Sequence, residues 1–275
     1  MLFGAHVSAA GGISHSPENA NKIGAQIFQF FDRSPRGGRP VYDKKEIELF
    51  KKNCRKFKIQ ECYIHTPYYI NLASANNKIR FGSIKTIREE LEAGDKLGVK
   101  YVMTHLGSAK DFTDNEALKL VIEGLKKILT GYKGKTELLI ENSAGTGQII
   151  GDSWEEIGYL LDNVKNFTIG VCMDTCHAFS SGYDFRTNKE LTNVLKNFDK
   201  NIGLKKLKLF HLNDSKTEFN SKKDRHADIG DGTLGIESFK NILQDKKLAN
   251  INCILETPEE KSSYSLQLKL LGSLI

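Results

Sequence analysis

The chain is expected to fold as a single-domain α/β protein, a (β/α)8 TIM barrel spanning residues 1–275. Three observations carry that expectation. Short apolar, β-branched runs alternate with amphipathic segments eight times along the chain, the order that builds parallel βαβ units. The length of 275 residues accommodates eight such units, and 39% apolar residues are enough for one continuous core. Seven of the eight apolar runs also end in a histidine or a carboxylate, at the strand ends where barrels of this kind assemble their sites. A doubly wound open sheet is the alternative architecture.

Each element follows from local patterning. The first strand, residues 2–7, arrives at His6 and is followed by a turn of small residues, 8–12. Ser16 stands where it could cap a helix over 17–23, with Pro17 in its first turn and Gly24 at its end. The second strand is 25–31, and a basic, breaker-rich loop occupies 33–40. Asp43 opens a second helix whose Ile47, Phe50, Cys54 and Phe57 share one face. A third strand, 59–65, precedes a helix carrying Ile84, Ile87 and Leu91 and ending near Gly98. The fourth strand is 99–105. Its helix has Leu118, Val121, Ile122, Leu125, Ile128 and Leu129 in one apolar stripe, closed by Gly131. The fifth strand is 136–141, and Ser153-Trp154-Glu155-Glu156 reads as a capping box. The sixth strand is 169–174, followed by a helix over 188–201. The seventh strand is 204–211, and a polar loop follows from 213 to 235. The last helix-strand pair carries Ile236, Phe239, Ile242 and Leu243, then residues 251–256. A C-terminal helix starts near Ser262.

Composition narrows the partners. A net charge of +6 gives a mild preference for a polyanion. The five cysteines are odd in number, form no Cys-x-x-Cys pair and mostly sit in apolar runs, so reduced buried thiols are expected. No signal peptide is apparent and no apolar run is long enough to cross a bilayer. A cytoplasmic protein without a membrane partner is the expectation.

The chemistry lies at the strand tips: His6, His65, His105, Glu141, Asp174, His211 and Glu256. Only the second strand lacks an ionisable tip. Each residue alone has an ordinary explanation, as a hydrogen-bonded histidine or an exposed charge. Their convergence does not, because carboxylates gathered at one rim repel unless cations sit among them. Two loop signals extend the set: His177, three residues past Asp174, and Asp224-Arg225-His226 in the long polar loop. An aspartate at a strand tip and a histidine on the next turn cannot easily address one face of one ion, so Asp174 and His177 are expected to serve adjacent ions. The candidate metal ligands are therefore His65, His105, Glu141, Asp174, His177, His211, Asp224, His226 and Glu256. Nine imidazole and carboxylate ligands exceed one tetrahedral site and suit three divalent ions of the zinc type if some carboxylates bridge. Such a cluster can clamp a phosphodiester, activating the attacking water and stabilising the leaving oxygen.

The motifs GAHVSAAGG, IHTPYYINLAS, THLGS, IENSAGTG, GVCMDTCHAFSSGYD, FHLNDSK, DRHADIGDG and ILET, in this order along nearly the whole chain, resemble the endonuclease IV family of apurinic/apyrimidinic (AP) endonucleases. The resemblance implies a barrel with three Zn2+ ions, for which Mn2+ could substitute. It implies that Glu141 bridges two ions and acts as the catalytic carboxylate. His65 and His105 would complete one position, Asp174, His211 and Glu256 the second, and His177, Asp224 and His226 the third. The implied reaction is hydrolysis of the phosphodiester 5′ to an abasic site in double-stranded DNA, leaving a 3′-hydroxyl and a 5′-deoxyribose phosphate. A monomer is implied. Arg36, Tyr68 and Tyr69 would contact the nucleic acid as wedges. Gly37-Gly38 stands where this family commonly has a bulky aromatic residue, Asp231 stands where glutamate is usual, and the loop varies at Ala227-Asp228. Tuned DNA affinity, with the chemistry kept, is expected from these differences.

Two other readings share parts of the pattern. A sugar isomerase or epimerase on the same barrel would need one divalent metal held by Glu141, Asp174, His211 and Glu256, but not the five further ligands. A non-enzymatic binder of damaged DNA would need the basic and aromatic loops but no complete ligand set.

Overall fold

The computed structural model describes residues 1–34 and 43–275. Eight strands close into a parallel barrel: β1 (Phe3–His6), β2 (Ile27–Phe30), β3 (Glu61–His65), β4 (Tyr101–Thr104), β5 (Glu137–Glu141), β6 (Ile169–Asp174), β7 (Leu207–His211) and β8 (Asn252–Leu255). Each pairs with its neighbours in sequence, and β8 pairs with β1 to complete the ring. The helices are α1 (Ser16–Lys22), α2 (Lys44–Lys56), α3 (Asn77–Leu97), α4 (Asp114–Leu129), α5 (Trp154–Asn163), α6 (Thr175–Ser181), α7 (Asn188–Asn201), α8 (Ile236–Gln244) and α9 (Tyr264–Ser273). None is long and apolar enough to cross a membrane among the described residues. All five cysteines are free.

Side-chain alternation along the strands separates two cores. Phe28, Ile64, Val102, Leu138, Ile140, Val171 and Phe210 belong to the large core shared with the helices. Ile27, Tyr63, Tyr101, Met103, Leu139, Cys172, Leu209 and Ile254 form a separate cluster inside the barrel. Because side chains two apart on a strand share a face, each residue of this inner cluster that lies two before a strand tip aims the tip at the barrel axis. Thus Tyr63 predicts the direction of His65, Met103 that of His105, Leu139 that of Glu141, Cys172 that of Asp174, Leu209 that of His211 and Ile254 that of Glu256. On β1 the corresponding position is Gly4, where a Cβ would fall on the Ile27 carbonyl. Beneath the inner cluster Tyr63 donates to Glu61 (2.6 Å), and Lys100 reaches the same carboxylate (2.6 Å).

Helix starts follow the expected chemistry with two corrections. Asp43 accepts the Glu46 N–H, Thr113 and Glu116 form a reciprocal box, and Gly98 ends α3 in the left-handed region (φ 78°). Ser16 is not a cap: it is the first residue of α1, and its hydroxyl turns to the Ser8 carbonyl. The Ser153 box forms only in half. Ser153 accepts the Glu156 N–H, but the Glu156 carboxylate turns away to the Gly151 N–H.

Three differences concern the site. The seventh strand begins at Leu207, because Leu204–Lys206 forms a 3-10 turn. The segment after Asp174 forms α6, a helix too short to leave a readable period. The polar loop over 213–235 contains an antiparallel pair, Asp214–Ser215 with His226–Ala227.

Leu139 is fully buried inside the barrel. Leu139→Ala should lower the unfolding free energy by about 2–5 kcal/mol in urea denaturation, as removal of a packed side chain leaves a cavity. A loss below about 1 kcal/mol would contradict the packing of the inner layer.

Candidate metal centre

The strand tips meet at the C-terminal mouth of the barrel, with Glu141, Asp174 and His211 fully buried. All nine candidate ligands lie there. The ligand atoms of His65, His105 and Glu141 fall within 4.8 Å of one another, as do those of Glu141, Asp174, His211 and Glu256, and those of Asp174, His177 and His226. Asp224 joins the third group through His177 Nε2 (3.3 Å) and His226 Nε2 (3.3 Å).

Glu141 is shared between the first two groups in a specific way. Its Oε2 faces His65 Nε2 (2.9 Å) and His105 Nε2 (3.5 Å), while its Oε1 faces His211 Nδ1 (2.9 Å). Asp174 is shared as well: it belongs to the second group and approaches His226 Nε2 at 3.7 Å. Asp174 thus adjoins both the second and the third group, while His177 belongs to the third. Asp174 caps α6 by accepting the His177 N–H (2.8 Å), and this fold-back brings both side chains to the third group.

Four imidazoles are oriented by their far nitrogens, as metal-ligating histidines commonly are. His65 Nδ1 meets the Thr66 carbonyl (2.6 Å), His177 Nδ1 the Asn142 carbonyl (3.0 Å) and His226 Nδ1 the Glu256 carbonyl (3.0 Å). Carbonyls only accept, so each Nδ1 carries the proton and each Nε2 presents a lone pair inward. His211 is reversed: Nε2 donates to Gln29 Oε1 (2.8 Å), which leaves Nδ1 facing Glu141 and Glu256. Among the described residues the buried His105 Nδ1 has no hydrogen-bond partner.

These tautomers set a test for a bound cation. His177 Nε2 and His226 Nε2 lie 3.3 Å apart. With both Nδ1 atoms donating, two lone pairs face each other, and the contact needs a positive charge. A proton supplies it in the metal-free protein. Burial acts to lower the His177 pKa, but Asp174, Asp224 and Glu141 outweigh it and raise it to about 10. Burial likewise acts to raise Glu141, yet His105 and His211 hold it well below the usual carboxylate range. Asp224 is drawn down to about 2, as His177 and His226 overcome the effect of burial. Burial draws the His105 pKa down. Ionised carboxylates interleaved with inward-facing imidazole lone pairs fit several divalent cations of the zinc type.

Three supporting residues carry amides, not ionisable groups. Gln29 on β2 donates to Glu256 (2.5 Å) and His6 (2.9 Å) while accepting from His211. It is the second strand's contribution to the site, two residues past Ile27. Asn142 accepts the Asp174 N–H (2.8 Å), and Asn213 donates to Asp174 Oδ2 (2.6 Å) while accepting the Glu256 N–H (2.8 Å). Their sequence signal is a polar amide one or two residues beyond a ligand. His6 lies outside the ligand groups and packs against Phe31 with its ring tilted by 54° and the ring centroids 4.4 Å apart. Cys176 adjoins Asp224 and His226, but burial pushes its thiol up and it donates to the Arg225 carbonyl.

Above the donors opens a cavity of about 860 Å³. Tyr68, 73% exposed, and Tyr69, 41% exposed, stand in its wall with Ile149, Arg225 and Tyr264. Arg36 lies outside the described residues.

The family model described as Xylose isomerase-like TIM barrel matches residues 17–274. The protein named "Probable endonuclease 4" from Aquifex aeolicus is 39% identical over 272 residues, covering 98% of this chain and 96% of its own. Its namesake from Campylobacter hominis is 41% identical over 279 residues, covering 99% and 98%. The crystal structure of endonuclease IV from Thermus thermophilus superposes with a TM-score of 0.88 at 32% identity, over 100% of this chain and 98% of the other.

Metal uptake should release protons at pH 7, because the raised pKa leaves His177 protonated there until a cation displaces its proton. Apparent affinity at that position should rise roughly tenfold per pH unit while the pH stays below the raised pKa. Calorimetric titration in buffers of different ionisation enthalpy measures this. A heat independent of buffer would contradict the assigned protonation.

Proposed function

The chain belongs to the endonuclease IV family, and we propose that it hydrolyses the phosphodiester 5′ to an abasic site in double-stranded DNA, leaving a 3′-hydroxyl and a 5′-deoxyribose phosphate. The single observation that carries this reading is the division of Glu141, whose two oxygens face imidazoles of different groups. With His177, Asp224 and His226 nearby, the donor set suits three Zn2+ ions, with Mn2+ as a substitute.

When bound, the cations supply Lewis acidity and a water ionised near neutral pH. The protein's part is geometric. His65 and His105 would hold the first ion with Glu141; Asp174, His211 and Glu256 the second with Glu141; His177, Asp224 and His226 the third. Glu141 is the proposed catalytic carboxylate: fully buried and shared between two groups, it fixes their separation and orients the attacking water. Gln29 and Asn213 keep Glu256 and Asp174 in place by donating amide N–H groups to carboxylate oxygens. Backbone carbonyls hold His65, His177 and His226 in the tautomer that points Nε2 inward, so no imidazole has to reorganise during the reaction.

Tyr68 and Tyr69 are proposed to stack against nucleotides at the cavity mouth, as exposed aromatic rings beside a nucleic acid do. Arg36 is proposed as a second wedge. A nucleotide that has already lost its base costs less to extrude, which favours the abasic site over intact DNA. Three divalent cations would add formal positive charge at the rim to a chain already at +6, so affinity should fall with salt. A monomer acting in the cytoplasm is the proposed setting.

The single-metal sugar isomerase reading needs only Glu141, Asp174, His211 and Glu256. It leaves the facing nitrogens of His177 and His226 without a purpose, and the endonuclease reading is preferred on that ground.

A labelled duplex with one abasic site, incubated with and without chelator beside elemental analysis of the same preparation, tests the reading. Glu141→Gln or His226→Ala should reduce incision by more than roughly a hundredfold while the far-ultraviolet circular dichroism is kept. Retention of the rate within a few-fold, or epimerisation of a ketose by a preparation holding one metal equivalent, would overturn it.

A further inference from the structure

The loop that delivers Asp224 and His226 is held by two aspartates that touch no candidate ion. Asp214 is fully buried, one residue before the strand partner of His226. Its carboxylate accepts the N–H groups of Ser215 (2.7 Å), Gly230 (3.0 Å), Gly232 (3.1 Å), Leu234 (3.0 Å) and Gly235 (3.2 Å). Gly232 comes so close that a Cβ there would collide with Asp214 Oδ1. Asp228, two residues after His226 and 2% exposed, accepts the N–H groups of Glu259 (2.9 Å), Lys261 (2.7 Å) and Ser262 (3.0 Å). It thereby ties the arm to the segment that follows Glu256, whose own carbonyl receives His226 Nδ1.

The two cages leave the arm little freedom. One holds its hairpin partner to the glycine-rich return, the other joins it to the strand tip of the second group. Burying two carboxylates is costly unless each oxygen is satisfied. A neutral amide could not replace them, because its NH2 would face backbone N–H groups that only donate.

We propose that Asp214 and Asp228 are positioning residues that set the affinity of the third ion position by fixing Asp224 and His226. This rests on the three-ion reading. The first two positions draw their ligands from the ends of barrel strands, which the parallel strand pairing already holds in place. The third takes two ligands from a loop, and a loop ligand binds tightly only if its backbone is already in place.

The test is a competitive titration of metal-free wild type, Asp214→Asn and Asp228→Asn with Zn2+ against a chromophoric chelator. Thermal unfolding of the metal-free forms is recorded in parallel. Wild type should take up three tight equivalents. In each variant one equivalent should weaken by roughly tenfold to a hundredfold, while the other two keep wild-type affinity. Should Asp214→Asn not fold, Asp228→Asn, on a separate stretch of chain, carries the same test. Three unchanged equivalents in a folded variant would overturn the proposal, and so would equal weakening of all three, which marks a general structural role. Fewer than three equivalents in wild type would instead remove the three-ion reading, and the proposal with it.

Discussion

Charge compensation in a buried place governs this molecule. Glu141, Asp174 and Glu256 converge at the barrel mouth with five imidazoles, and the first two carboxylates are wholly withdrawn from water. Carboxylates so placed need positive charge between them. The metal-free chain can offer only protons on imidazoles, and raising the His177 pKa to about 10 is one expression of that demand. Divalent cations answer it more completely, because each can neutralise two carboxylates and still accept imidazole lone pairs. The facing nitrogens of His177 and His226 are hard to reconcile with any arrangement lacking a cation or a proton there.

The barrel sustains this concentration of charge by dividing the labour. Inside, an apolar layer from Ile27 to Ile254 fills the space beneath the site and aims the tips. Around the ligands, amides and carbonyls take up the remaining hydrogen-bonding capacity: Gln29 and Asn213 on the carboxylates, the Asn142 amide on the Asp174 backbone, and the Thr66, Asn142 and Glu256 carbonyls on the imidazoles. The first two ligand groups are thus built on strands, where the ring of hydrogen bonds limits movement. The third is built on the tip of β6, on α6 and on a caged loop.

Much of this is legible in the sequence. Strand tips such as Glu141 and Asp174 stand at the end of apolar runs, and alternation of side chains carries their direction without further information. The same rule, applied to the second strand, points to Gln29 two residues past Ile27; a search confined to ionisable residues passes over it. What stays illegible is set by non-local contacts. The seven residues of α6 are too few for a helical period, so the sharing of Asp174 between two groups emerges only with the fold. Glu156 resembles a capping partner because local spacing cannot show that the Gly151 N–H competes for it. The cages of Asp214 and Asp228 bring together stretches more than a dozen residues apart, and no local pattern announces them.

We propose that three cations share this mouth, with Glu141 between two of them. Anomalous diffraction at the zinc edge from crystals of the purified protein tests it most directly. Three peaks are expected: one by His65 and His105, one by His211 and Glu256, and one by His177 and His226, with the Glu141 carboxylate spanning the first two. A single peak among Glu141, Asp174, His211 and Glu256, with nothing beside His177, would contradict it.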